Sequence, residues 1–105
     1  MNALLVLCTC PDEAVGERLA TALVEEHLAA CVNRVSGVAS TYRWKGALQH
    51  DSEHLLLIKT TRDRFDALRE RIVALHPYEL PEVIAVDIAL GLVPYLTWID
   101  SETRS

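Results

Sequence analysis

Two extended stretches, Cys31 to Trp44 and Ala47 to Thr61, flank a single dipeptide, Lys45-Gly46. The first is rich in Val, Thr, Ser and aromatic residues, and the second holds the apolar run Leu55 to Ile58, so both read as strands. Lys45-Gly46 reads as a two-residue turn between them, and Gly37 as a bulge. About fifteen extended residues on each arm would reach ~50 Å at ~3.3 Å per residue. A compact domain of ~100 residues has a radius of gyration of only ~13 Å. The chain has 105 residues, which predicts one domain spanning 1–105. Its hairpin must then project past its own core, with Val38, Tyr42, Trp44 and Leu48 towards the tip. Apolar groups placed there are awkward in water, and pairing with another subunit accommodates them. The expectation is an oligomer of closed cyclic symmetry.

The remaining elements fall around this hairpin. Ala3 to Thr9 is a continuous apolar run and predicts a buried strand. Asp12 is placed to cap a helix, with Glu13 in its first turn, and Val15, Leu19, Ala22 and Leu23 recur at helical spacing to about Ala29. Phe65, Leu68, Ile72 and Leu75 mark a second helix, with Thr61 as its N-cap. His76-Pro77 ends it, because proline drives the residue before it out of the helical region. Val83 to Ala89 alternates, with Ile84, Val86 and Ile88 on one face. Tyr95 to Ile99 reads as a short closing element, strand or helical turn, and Ser101 to Ser105 as a loose tail. The order β-α-β-β-α-β with a C-terminal piece is that of an α+β, ferredoxin-like sandwich, two helices covering one face of a four-stranded antiparallel sheet.

Composition narrows the function. Ten basic residues face fifteen acidic ones, for a formal charge of −5. Phosphate binding draws on clustered Lys and Arg, so nucleic acid is not an expected partner. The apolar start is too short for a membrane span, which needs about 20 residues, and lacks the basic flank of a signal peptide. The expectation is a cytoplasmic protein with no membrane partner. Three cysteines in such a chain do not predict a disulfide framework.

Chemistry concentrates in a few places. Cys8 and Cys10 share one face of the first strand, where two thiols offer soft ligands for copper(I) or zinc or else fill space in a core. Cys31 is expected in the core. His76 to Glu82 reads H-P-Y-E-L-P-E, which places an imidazole, a phenol and two carboxylates on a proline-stiffened loop. It serves equally well as a helix terminator. His50, Asp51, Glu53 and His54 read as a solvated strand edge, Glu53 excepted, because it lies where the hairpin re-enters the body. His50 and His54 are about 13 Å apart along a strand and cannot share one metal. Recognised hydrolase, metalloprotease, phosphate-loop and dinucleotide motifs are absent, and the chain is read as no enzyme with no organic cofactor.

Six motifs occur in order: C-T-C-P-D at Cys8 to Asp12, L-A-A-C at Leu28 to Cys31, Y-R-W-K-G at Tyr42 to Gly46, I-K-T-T at Ile58 to Thr61, H-P-Y-E-L-P-E, and Y-L-T-W-I at Tyr95 to Ile99. With Glu53 between them, the set resembles the CutA family, the divalent-cation tolerance proteins, from Leu4 to Ile99. The resemblance implies a non-enzymatic homotrimer built by strand pairing between subunits and similar in plan to the PII signalling proteins. It implies a role in tolerance of copper and other divalent cations, which would be its metal partners. Carried over residue by residue, the metal candidates are Cys8 and His76, with Glu79 where relatives often differ. Cys10 departs from the small residue usual in the family. Tyr42, Trp44, Glu53, Lys59, Tyr78 and Glu82 match family positions expected to line clefts between subunits, either as a ligand site or as trimer packing. A PII-like module binding a small ligand in those clefts is the alternative function.

Overall fold

The computed structural model describes residues 2–104. Strand β1 (Ala3–Cys10) leads to helix α1 (Glu13–Glu25), and β2 (Cys31–Trp44) returns as β3 (Ala47–Thr61). A short 3-10 turn, Arg62–Arg64, precedes helix α2 (Phe65–Leu75); β4 (Ile84–Asp87) and helix α3 (Val93–Glu102) complete the chain. The strands lie in the order β2-β3-β1-β4, every neighbouring pair antiparallel. This is the ferredoxin-like α+β arrangement.

Alternation along β1 sorts the two faces of the sheet. Leu4, Val6, Cys8 and Cys10 are buried with Leu56 and Ile58 of β3 under Leu19 and Leu23 of α1 and Leu68 and Ile72 of α2. Gly16 lets α1 sit close: a Cβ there would lie 3.3 Å from the Cys10 sulfur and 3.5 Å from Leu56. The opposite face is covered at the Ala3 end by Leu96 and Ile99 and is otherwise open. Leu5, Leu7, Leu55 and Leu57 are half-buried on it, and their neighbours Ile84 and Val86 are more than half exposed.

The hairpin does project. The molecule measures 44 × 26 × 21 Å. Trp44 pairs with Ala47 across the turn, where Lys45 (φ 50°) and Gly46 (φ 81°) both take the left-handed conformation of a type I′ turn. Gly37 (φ 76°) sits in the register break between Val35 and Val38, as a bulge. A branched side chain in the left-handed region costs roughly 1–2 kcal/mol. Gly46→Val is therefore expected to lower the free energy of unfolding, read by urea titration, by that amount while far-UV circular dichroism stays native.

Several boundaries differ from the sequence reading, each for a local reason. Asp12 caps α1 as expected, accepting from the Val15 amide at 2.9 Å. The helix ends at Glu25 rather than Ala29, because His27 turns left-handed (φ 58°) and the Leu28 and Ala29 amides bond back to the Leu23 carbonyl. Thr61 precedes a 3-10 turn and makes no side-chain cap, while His76 ends α2 in extended conformation as expected. Strand β4 covers only Ile84–Asp87, and Ile88, just past its end, bonds through its amide to the Ala3 carbonyl and packs with Leu96 against Ala3, Ala30 and Ile99. The closing element is a full helix, α3, with Pro94 in its first turn. Ser101 and Glu102 belong to that helix, and Thr103 is buried with its hydroxyl donated to the Ile99 carbonyl at 2.9 Å. The expected loose tail is thus docked through Thr103; Ser105 lies outside the described residues. Cys31 is not in the core: it is partly exposed, its sulfur 3.9 Å from the Lys59 ammonium.

Candidate functional site

Three segments meet where the hairpin leaves the sheet: the end of β1, the outer half of the hairpin and the loop after α2. Between them lies a groove of about 710 Å³. Tyr42 and Trp44 from β2, Glu53 from β3, and Tyr78, Glu79 and Glu82 from the loop all line it. Lys59 does not. It lies farther along β3 opposite Leu5 and Cys31, and donates to the Asn33 side chain. Thr9, Ser40 and Arg43 also line the groove and went unnoticed in the sequence. Thr9 was detectable from strand alternation alone, since it must point away from the face shared by Cys8 and Cys10.

The loop is anchored through His76. Its Nδ1 accepts from the Tyr78 amide at 3.1 Å, so the ring proton resides on Nε2, which donates to the Thr9 carbonyl at 2.8 Å. His76 is buried, and the Tyr78 ring leans on it at a centroid distance of 4.6 Å. The Tyr78 hydroxyl then donates to Glu53 Oε2 at 2.7 Å. Burial and that bond to Glu53 hold the Tyr78 phenol well above its usual range, so it stays a donor. A continuous chain thus runs from β1 through His76 and Tyr78 to Glu53. On the hairpin, Tyr42 donates to Asp51, and Thr41 and His50 share a bond at 3.1 Å.

The metal candidates have different settings. Cys8 is fully buried on the helix side of β1. Burial first, then the proximity of Cys10, Glu82 and Glu53, pushes its thiol up to about 12. Both His76 ring nitrogens are engaged. Glu79 is at the surface, 3.4 Å from the Lys45 ammonium. Among the described residues no three His, Cys, Asp or Glu side chains gather closely enough to hold a metal ion. A single subunit therefore presents no ready-made cation cage, and none of the expected donors is free without a change of hydrogen bond, proton or ion pair.

A four-stranded antiparallel sheet under two helices, a projecting hairpin and a groove at its root place the chain among ferredoxin-like α+β proteins with a ligand-sized cleft. Residues 4–102 match the family described as CutA1 divalent ion tolerance protein. A Thermus thermophilus protein named divalent-cation tolerance protein CutA is 52% identical over 99 residues, 94% of this chain and 96% of the relative. Protein CutA 1, chloroplastic, from Oryza sativa is 46% identical over 97% of this chain and 58% of the relative's length. The crystal structure of CutA from Xylella fastidiosa superposes with a TM-score of 0.96 at 46% identity, over 99% of this chain and 100% of that one. The chain belongs to the CutA1 divalent ion tolerance family. No helix among the described residues is long and apolar enough to cross a membrane.

Proposed function

We propose that the protein works as a non-enzymatic cytoplasmic homotrimer in tolerance and homeostasis of divalent metal ions, copper foremost. Family membership carries the metal-tolerance part of this reading. The largely uncovered apolar sheet face, together with the hairpin's projection along the 44 Å long axis of the molecule, supports the trimer. Closed threefold symmetry buries the same face on every copy and leaves no open end.

Direct cation binding is assigned to Cys8, His76 and Glu79. Each must give something up to ligate: Cys8 its proton, His76 a ring hydrogen bond, Glu79 its ion pair. Binding should therefore be weak and should tighten as pH rises, because ligands compete with protons. Copper or zinc titration by calorimetry is expected to show a site that weakens at least tenfold in Cys8→Ser/His76→Ala and less in Glu79→Gln. Unchanged metal binding in the double variant, with native circular dichroism, would remove these residues from the account.

The groove favours a second reading, a PII-like module that binds a small ligand at the clefts between subunits. Its size lies in the ~300–1,000 Å³ range usual for small-molecule sites. Tyr42, Trp44, Glu53, Tyr78 and Glu82 would line that cleft, with Lys59 farther along β3 at the subunit contact.

A further inference from the structure

We propose that the groove at the hairpin root binds an organic cation: an ammonium, amidinium or guanidinium group carried on a slim apolar body. This rests on the reading of the groove as a ligand cleft. Its centre is Glu53, only 5% exposed yet lining the groove. Oε2 of Glu53 takes the Tyr78 hydroxyl, while Oε1 has no partner among the described residues and is not sealed from the groove. A carboxylate this buried, with one oxygen left open, calls for a cationic donor. Glu79 and Glu82 add negative charge to the same walls, and Trp44 and Tyr42 supply aromatic faces that attract cations. Two cations of the chain lie at the groove. Lys45 is held by Glu79, and Arg43 forms no ion pair among the described residues, so it partly offsets the three carboxylates without cancelling them. The volume and aromatic walls suit an organic body better than a bare ion, which wants a compact shell of oxygens.

Two sources share this chemistry, a free amine and an Arg or Lys side chain from a neighbouring copy. The test uses a Trp98→Phe protein, so that Trp44 is the only tryptophan. Agmatine and benzamidine are titrated in the presence of a chelator, with neutral benzamide and anionic benzoate as controls. Saturable change in Trp44 emission is expected with the two cations and not with the controls. Loss of a charge-assisted bond should weaken binding roughly tenfold or more in Glu53→Gln. Glu82→Gln gives a milder loss and serves if Glu53→Gln misfolds. Binding to the assembled protein identifies a free amine as occupant. Binding only after the subunits are separated by Val86→Asp identifies the neighbour's side chain. No cation binding in either form, or binding as strong to benzamide or benzoate, overturns the proposal. Because chelator is present throughout, that failure leaves the copper titration to decide the metal reading separately.

Discussion

Val86→Asp is expected to convert the proposed trimer, a particle of about three times 11.7 kDa, into single subunits, read by light scattering after gel filtration. Val86 is 52% exposed on the open sheet face, opposite Leu5 and beside Ile84, so a carboxylate there is tolerable in one subunit. In the proposed trimer the same position is closed off from water. Burying an unpaired carboxylate costs several kcal/mol, and symmetry repeats the penalty at every copy. Val73→Asp is the control: Val73 is equally exposed, but on α2, across the sheet from that face. It should leave the mass unchanged. A trimeric Val86→Asp protein would show that assembly uses another surface.

Stability should fall steeply above pH 9, and Cys8 should be a main cause. The folded state holds its thiol proton to about 12, whereas the unfolded chain releases it near 9. The stabilisation is therefore complete below pH 9 and is lost as pH rises from 9 towards 12, since over that window only the unfolded state gains by ionising. One such group contributes ~1.4 kcal/mol per pH unit, up to about 4 kcal/mol across the window. Cys10 acts in the same direction, its thiol raised by burial and by Asp12. The phenols of Tyr42, Tyr78 and Tyr95 are raised too, and join above their ordinary range. Urea unfolding between pH 7.5 and 10 separates these contributions. Cys8→Ala should flatten the slope between pH 9 and 10 by on the order of 1 kcal/mol per unit. An identical slope in both proteins would mean that the thiol is solvated, and the cost assigned to metal binding at Cys8 would vanish with it.

Much of the fold could be read from local pattern. The hairpin turn, the Gly37 bulge, the Asp12 cap and the helix stop at His76 each depend on a few neighbouring residues with defined backbone preferences. The misreadings share a different cause. His27 carries no glycine-like signal for its left-handed turn, so the end of α1 was invisible. Helix α3 forms where Leu96 and Ile99 find Ala3 and Ala30, residues far away in sequence. Thr103 looked like tail because its burial depends on the same docking.

The candidate site divides in a similar way. The residue types were legible: Tyr42, Trp44, Glu53, Tyr78, Glu79 and Glu82 do share one groove. Their relations were not. Nothing in H-P-Y-E-L-P-E shows that His76 spends both nitrogens on holding the loop, or that Tyr78 reaches Glu53 across 25 positions.

The sequence by itself determined the order of elements, the projecting hairpin and the inward alternation of Cys8 and Cys10, because periodicity and turn chemistry act over a few residues. Only the tertiary structure decided that Cys8 is sealed with its thiol proton held, that Cys31 lies beside Lys59 on the open face, and that Glu53 is buried in the wall of a groove. Burial and desolvation are set by what packs around a group, and those neighbours come from distant parts of the chain.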